Sequence, residues 1–229
     1  MPLRIGVALV NVRIAASGHD MSRTIRPAKT CHEDFRDGYP ELVAVCRAAG
    51  VDLDDAAGPT ALANYLEVAH HANLWGELPR LSALAEQVDK VDGAGRPEMR
   101  VIRRSFEALR SDLESHLMCE EQIVFPLIRE IIAASRTVER PNGTMRNPID
   151  VLDDDHERVA DGLDELASLT DDFTAPDGAS PEIRNLYGGL AALVTDTRLH
   201  IRLEHHLLFP AVVAVERDLL AVLDHCAPQ

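Results

Sequence analysis

One motif occurs twice in the chain and constrains its fold more than any other feature. Residues 116–127 read His-x-x-x-Glu, then four residues, then Phe-Pro and an apolar residue, and residues 200–211 repeat this pattern. In an α-helix, positions i and i+4 lie one turn apart on the same face. Each copy therefore points an imidazole and a carboxylate in one direction, and two such faces turned toward each other would form a metal site.

The apolar residues around the motif recur every three or four positions, which predicts helices. Four long helices are expected, at about residues 60–91, 98–134, 149–166 and 186–214. Shorter helices are expected at residues 40–49 and 216–223. Because the long helices are amphipathic and joined by short turns rich in Gly and Pro, the sequence predicts an all-α fold, an antiparallel up-down-up-down four-helix bundle.

Residues 1–57 show no sustained period, so we expect a small, partly irregular N-terminal appendage before a bundle of residues 58–229. Hydrophobic residues make up 46% of the chain and aromatic residues only 4%, which favours a helical core of aliphatic side chains. The prolines at positions 79, 126 and 210 are expected to bend their helices, because proline removes a backbone hydrogen bond.

Charge and cysteine content exclude several classes of protein. The net charge of -15 argues against binding to nucleic acid or to an anionic membrane. The four cysteines form no Cys-x-x-Cys pair, which favours a reducing compartment over a disulfide framework or a structural zinc site. No apolar run is long enough for a membrane span, and residues 5–10 are interrupted too early for a signal peptide. We therefore expect a cytoplasmic protein.

Counting from the turns places six polar residues at one level of the bundle. His71 lies 23 residues before Ala94, and the first motif's His and Glu lie 22 and 26 residues after it. His156 lies 22 residues before Gly178, and the second motif's His and Glu lie 22 and 26 residues after it. The six residues, all on otherwise aliphatic seams, are His71, His116, Glu120, His156, His200 and Glu204.

A single histidine on an apolar face is usually a hydrogen-bonded core residue, but six polar groups in one layer need compensation. Each group buried without a partner costs about 2–5 kcal/mol, and a whole domain is stable by only about 5–15 kcal/mol. Metal cations would compensate this layer directly, and a hydrogen-bond network within the protein is the alternative. Four imidazoles and two carboxylates suit iron or manganese better than structural zinc, with Cys119 as the one thiol near that level.

The chain resembles the hemerythrin-like proteins, and among them the iron–sulfur cluster repair di-iron proteins. The resemblance runs from His71 to about Val213, and its further matching segments are Glu77-Leu78-Pro79, Ser115-His116 to Gln122, Phe125-Pro126, Asn147 to Glu157, Leu169-Thr170 with Phe173-Thr174, Leu186 to Leu190, and His200 to Pro210. It implies that the six residues of the layer bind two non-haem irons joined by an oxo or hydroxo bridge, with Glu120 and Glu204 as bridging ligands.

The residues beside these candidates also need an assignment. The helix face that carries His70 is expected to be solvated, whereas the face that carries His71 is aliphatic, so His71 is the preferred ligand. His205 and His206 stand where the repair family usually has two asparagines, and we expect them to face outward or to lie behind the ligands. Asp112 and Asp196 each precede a ligand histidine by four residues; they either orient an imidazole or are solvated acids.

The resemblance implies a role in nitrosative or oxidative stress, either iron donation to damaged iron–sulfur proteins or reduction of nitric oxide or peroxide. The chain departs from the repair family because its N-terminal region has no adjacent cysteines, which puts sulfur or iron hand-off in doubt. The alternative is a module that reversibly binds or senses dioxygen or nitric oxide without catalysis. The respiratory type uses five imidazoles as ligands, however, and the layer predicted here contains only four. A third hypothesis is a regulatory protein whose first 57 residues contact a partner.

Overall fold

The computed structural model describes residues 36–137 and 143–225, and every regular element in these two ranges is helical. The eight α-helices are α1 (Pro40–Ala48), α2 (Gly58–Tyr65), α3 (Ala72–Asp92), α4 (Glu98–Cys119), α5 (Phe125–Thr137), α6 (Arg146–Leu169), α7 (Pro181–Leu203) and α8 (Phe209–His225). The prediction of an all-helical fold is confirmed. Cys31 and Cys226, and residues 1–35 of the predicted appendage, lie outside the described ranges.

Three π-helical segments join pairs of α-helices into long continuous rods. They are Leu66–His71 between α2 and α3, Glu120–Val124 between α4 and α5, and Glu204–Leu208 between α7 and α8. The second and third segments each end two residues before a proline, Pro126 and Pro210. A π-turn shifts the backbone hydrogen bonds by one residue and is common at functional sites. All three segments begin or end at a residue of the polar layer.

Most helix positions agree with the predictions from periodicity. The short helix α1 is present, and the predicted first and second long helices correspond to the rods α2–α3 and α4–α5. The separate helix predicted at residues 216–223 was wrong. Those residues are the second half of α8, which continues the same rod because no Gly or Pro follows Pro210 until residue 228.

The long helices pack side by side around a shared interior. Helix α3 packs against α4 and α7, and α6 packs against α4 and α7, while α5 packs against α8 and α2. The two turns that connect α3 to α4 and α6 to α7 lie next to each other. Arg96 donates a hydrogen bond of 2.8 Å to the carbonyl of Asp177, and the Ser180 hydroxyl donates one of 3.3 Å to Asp92. The turns therefore start their helices from the same level.

The core consists of two apolar clusters with the polar layer between them. One cluster is formed by residues of α3, α4, α6 and α7, such as Leu78, Phe106 and Leu163. The other is formed largely by residues of α1, α2, α5 and α8, such as Leu62 and Ile128. Each rod passes from one cluster to the other at its histidine or glutamate, so the polar residues are enclosed by apolar side chains on both sides.

Helix α1 belongs to the second cluster, in which Leu42 and Cys46 are buried. Arg202 of α7 also donates a hydrogen bond of 2.5 Å to Glu41. The domain boundary placed after residue 57 stays a prediction. Among the described helices, none has the length and apolar character that crossing a membrane requires.

Candidate metal centre

The six residues predicted from the sequence meet in one place in the interior. His71, His116, Glu120, His156, His200 and Glu204 are each at most 1% exposed. Their side chains form two overlapping groups of four, whose possible ligand atoms all lie within 4.8 Å of one another. One group contains His71 and His200, the other contains His116 and His156, and both contain the two glutamates.

Glu120 lies close to three of the four imidazoles, and Glu204 lies close to two. Its Oε2 lies 3.1 Å from Nε2 of His116, 3.3 Å from Nε2 of His71 and 3.6 Å from Nε2 of His200. On the opposite rod, Glu204 Oε1 lies 3.0 Å from Nε2 of His200, and its Oε2 lies 3.3 Å from Nε2 of His156. All four imidazoles thus turn the same ring nitrogen, Nε2, toward the carboxylates.

The imidazoles also approach each other in pairs. Nε2 of His71 lies 3.2 Å from Nε2 of His200, and Nε2 of His156 lies 3.2 Å from Nε2 of His116. Two ring nitrogens that face each other cannot both carry a proton, and a neutral imidazole offers a lone pair from the unprotonated nitrogen. When both rings of a pair carry their proton on Nδ1, the pair presents two lone pairs to one point, which is the arrangement that a metal ion uses.

Both carboxylates have unmet hydrogen-bonding capacity. Among the described residues, neither oxygen of Glu120 or of Glu204 has a hydrogen-bond partner of acceptable geometry, although both side chains are fully buried. Buried carboxylate oxygens without donors are costly unless a cation compensates them. The unpartnered carboxylate oxygens therefore fit a metal site, because two cations could each take two imidazoles and share the two carboxylates.

The two carboxyl groups are equally buried but differ in acidity because their neighbours differ. Burial raises the pKa of Glu204 well above its usual range, and the nearby charge of Glu120 raises it further. Burial also acts to raise the pKa of Glu120, but His116, His200 and His71 together hold it well below its usual range. Without a cation, Glu204 is therefore the harder of the two carboxyl groups to ionise. Binding of positive ions would allow both to be ionised.

The π segments determine which residues enter the layer. His71 is the last residue of the first segment, and Glu120 and Glu204 are the first residues of the second and third. His116 and His200 lie one turn earlier, at the ends of α4 and α7, whereas His156 lies within the uninterrupted helix α6. Periodicity alone did not reveal these segments, because a single π-turn changes the register of a helix by only one residue.

Sequence reasoning gave no role to Glu121, which contacts His71. Its Oε1 lies 3.0 Å from Nδ1 of His71 and accepts a hydrogen bond of 2.8 Å from the indole nitrogen of Trp75. A carboxylate on the second ring nitrogen orients a ligating imidazole and makes it more basic. Position 121 directly follows a candidate ligand, which is the signal that could have identified it.

His205 takes the corresponding place behind His156. Its Nε2 lies 2.6 Å from Nδ1 of His156, and its Nδ1 lies 3.5 Å from Oδ1 of Asp153. Burial lowers the pKa of His205 to about 4, with a further contribution from His206, so its ring is neutral at neutral pH. His206 itself stacks on Tyr39, with ring centroids 3.9 Å apart. His205 therefore lies behind the polar layer, and His206 belongs to the packing of α1.

Asp112, Asp196 and Cys119 lie near the polar layer in sequence, but no hydrogen bond or ion pair of the described residues joins them to its imidazoles. Asp196 lies 2.8 Å from Nδ1 of His70 rather than beside a candidate ligand, and Asn73 donates to its other oxygen over 3.3 Å. Asp112 is exposed, and Nδ1 of His116 has no hydrogen-bond partner among the described residues. Neither aspartate therefore orients an imidazole of the layer. Cys119 is in none of the metal-capable groups of the described ranges.

The repeated Phe-Pro sequence also contributes to the centre. The ring of Phe125 stacks on His71 with centroids 5.2 Å apart, and that of Phe209 stacks on His156 with centroids 6.4 Å apart. Each phenylalanine thus covers a histidine that lies on a different long helix. Both rings are almost fully buried, at 0% and 3% exposed, so they help to keep water from the layer.

Comparison with protein families agrees with this geometry. Residues 62–212 match the family profile described as the hemerythrin HHE cation binding domain. The chain belongs to this family. The matched residues include all six members of the polar layer, and the two groups of histidine and glutamate could each hold a metal ion.

Individual relatives are similar over the same part of the chain. A protein of Edwardsiella ictaluri named iron-sulfur cluster repair protein YtfE is 34% identical over 149 residues, which are 65% of this chain and 63% of that protein. Proteins of the same name from Yersinia pestis and Yersinia pseudotuberculosis are 32% identical over 157 residues, 69% of this chain and 67% of theirs. The chain thus spans somewhat less than two thirds of the Edwardsiella protein.

Proposed function

We propose that this chain is a di-iron protein of the response to nitrosative or oxidative stress, and that it donates iron to damaged iron–sulfur proteins. The observation that supports this most directly is that both glutamates belong to both ligand groups, while their four carboxylate oxygens lack hydrogen-bond partners within the described ranges. The iron–sulfur cluster repair proteins, which are 32–34% identical, favour repair over other uses of such a centre.

The proposed ligands are the six residues of the polar layer. His71 and His200 would hold one ion, His116 and His156 the other, and Glu120 and Glu204 would bridge them. Two ferrous ions bound there would supply electrons and coordination positions open to small molecules. The protein would keep the imidazoles neutral, turn their Nε2 atoms inward and exclude water with Phe125 and Phe209.

The proposal includes the finer architecture predicted from the sequence. We propose that the three rods and helix α6 form an up-down-up-down four-helix bundle with residues 1–57 as an appendage. The packing of α3 on α4 and α7, and of α6 on α4 and α7, supports a closed arrangement of four helices. The adjacent turns at Arg96 and Asp177 support the same arrangement.

The experiment is an anaerobic transfer assay. The full chain, loaded with ferrous iron, is mixed with an apo-form iron–sulfur protein and a sulfide source, and recovery of the acceptor's cluster absorbance is followed. We expect recovery with wild-type protein, no recovery with Glu120→Gln, and normal recovery with Glu157→Gln, which alters an exposed carboxylate next to His156. A wild-type protein that holds two irons but restores no cluster would contradict the repair function and leave the metal centre standing.

Reduction of nitric oxide or peroxide, and reversible binding of dioxygen or nitric oxide, stay predictions. They use the same open positions and differ in outcome. Adding nitric oxide to the loaded protein and measuring nitrous oxide would detect reduction. A spectrum that returns to its starting form on degassing would indicate reversible binding.

A further inference from the structure

We propose that Glu121 and His205 make the two metal positions inequivalent, so that the ion at His71 is held more tightly than the ion at His156. This inference rests on the proposed function, because it concerns the same six ligands. Glu121 and His205 occupy equivalent places in the repeated motif, each one residue after a bridging glutamate. They contact equivalent ligands with different chemistry.

At the first position, a carboxylate lies behind the imidazole. His71 turns Nε2 toward Glu120, so a neutral ring that offers its Nε2 lone pair must carry its proton on Nδ1. That Nδ1 lies 3.0 Å from Glu121, and the Trp75 indole holds the same carboxylate oxygen at 2.8 Å. The Nδ1–H group therefore donates to an anion, which increases the electron density at Nε2 and strengthens it as a ligand.

At the second position, an imidazole lies behind the imidazole. His156 turns Nε2 toward Glu204, so its proton is also on Nδ1 and is donated to Nε2 of His205 over 2.6 Å. His205 must then carry its own proton on Nδ1, which faces Asp153 at the longer distance of 3.5 Å. The acceptor of the His156 proton is thus a neutral ring, and it polarises the ligand less than a carboxylate does.

The remaining ligands do not introduce another difference of this kind. His116 and His200 each belong to one of the two positions, and Nδ1 of both rings lacks a hydrogen-bond partner among the described residues. The two glutamates belong to both positions. Within the described part of the chain, the groups that lie behind the ligand imidazoles therefore differ only in Glu121 against His205.

A difference in affinity between the two positions would set the order in which the ions are bound and released. Groups that orient a ligand from behind typically change metal affinity by about 10–100-fold. With a difference of that size, the His71 position would fill first on loading, and the His156 position would be the first to release its ion. A donor with such a centre could transfer one ion while the other keeps the carboxylates and imidazoles in place.

Stepwise metal binding tests the proposal. Metal-free full-length protein is titrated anaerobically with ferrous iron alone, in competition with a coloured chelator. We expect two ions per chain with dissociation constants that differ by about 10–100-fold. Glu121→Gln should weaken the tighter step by a similar factor and leave the other step nearly unchanged. The control variant Glu157→Gln, which changes an exposed side chain, should alter neither binding step.

A second variant should strengthen the weaker binding step instead of weakening the stronger one. Combining His205→Glu with Asp153→Asn places a carboxylate behind His156 and removes the neighbouring negative charge. The weaker step should then tighten and approach the stronger one, a result that a damaged fold could not produce. Two ions bound with equal affinity, and insensitive to Glu121→Gln, would overturn the inference while leaving the proposed centre intact. Fewer than two ions on the wild-type protein would instead contradict the proposed function.

Discussion

Glu120 and Glu204 lie at equivalent places on two different rods, and each belongs to both groups of potential metal ligands. Because the two groups share both glutamates, they are not independent of each other. A change in one glutamate should therefore affect both metal positions, whereas a change in one histidine should affect mainly its own.

The first prediction concerns Glu120→Gln. The substitution keeps the shape of the side chain but removes its charge, so it should abolish tight binding of both ions rather than of one. Metal analysis of anaerobically loaded protein measures this, with Glu157→Gln as the matched control at an exposed position. A Glu120→Gln protein that folds normally, as judged by circular dichroism, and still binds two ions would show that Glu120 is not a shared ligand.

The second prediction separates the two adjacent histidines. His206 stacks on Tyr39, and the ring contacts of the described residues do not join it to the polar layer, so His206→Ala should leave metal content unchanged. Loss of the stacked pair should lower the free energy of unfolding by about 0.5–1.5 kcal/mol. His205→Ala should instead weaken metal binding, because His205 lies behind His156. Denaturant unfolding and metal titration of both variants distinguish these roles, and loss of metal from His206→Ala would contradict the assignment.

The third prediction concerns the close contact between α3 and α7. A Cβ atom at Gly189 would lie 2.5 Å from Cδ2 of the buried Leu81, whereas a Cβ atom at the neighbouring Gly188 would meet no described residue within 4 Å. Gly188→Ala should be neutral or stabilising by up to about 1 kcal/mol, because alanine favours the helix. Gly189→Ala should be less stable than Gly188→Ala by about 1–3 kcal/mol through overpacking. Equal stability of the two variants in urea would contradict this close packing.

The fourth prediction is a dependence of stability on pH. Burial raises the pKa of Cys46 from 9.0 to about 11. The unfolded chain therefore loses this proton at a lower pH than the folded protein does, and stability falls as pH rises between these two values. Relative to Cys46→Ala, the wild-type protein should lose up to about 2.7 kcal/mol of unfolding free energy over this interval.

Denaturant unfolding at several pH values measures this difference, and the Ala variant serves as the control for other titrating groups. A difference between the two proteins that stays constant from pH 9 to 11 would show that the Cys46 thiol is not protected by folding. The same thiol lies in the cluster that anchors α1, so its protection also reports on that packing.

The convergence of the polar layer could be predicted because the fold repeats. The counts from the two turns placed six residues at one level, and the contact of Arg96 with Asp177 explains why the counts worked: both turns lie at the same level. Hydrophobic periodicity was sufficient for the helices because each rod has one buried face. Identification of the ions and of the activity goes beyond periodicity, since the same ligands serve several chemistries.

Several features could not be read from spacing. The π segments shift the register by one residue, and an average period of three to four residues conceals such a shift. The roles of Glu121 and His205 depend on which ring nitrogen of a distant histidine they reach. Asp112 and Asp196 share a spacing to the motif, but Asp196 contacts His70 and Asp112 is exposed. Contacts between side chains on different rods decide these roles.

One buried layer of four imidazoles and two carboxylates is proposed to bind a pair of bridged irons. Mössbauer spectroscopy combined with metal analysis, on full-length protein loaded anaerobically with isotopically enriched ferrous iron and then oxidised, tests it most directly. We predict two irons per chain that are antiferromagnetically coupled after oxidation and absent from Glu120→Gln. A single iron per chain, or two irons that behave as isolated paramagnetic ions, would contradict the account.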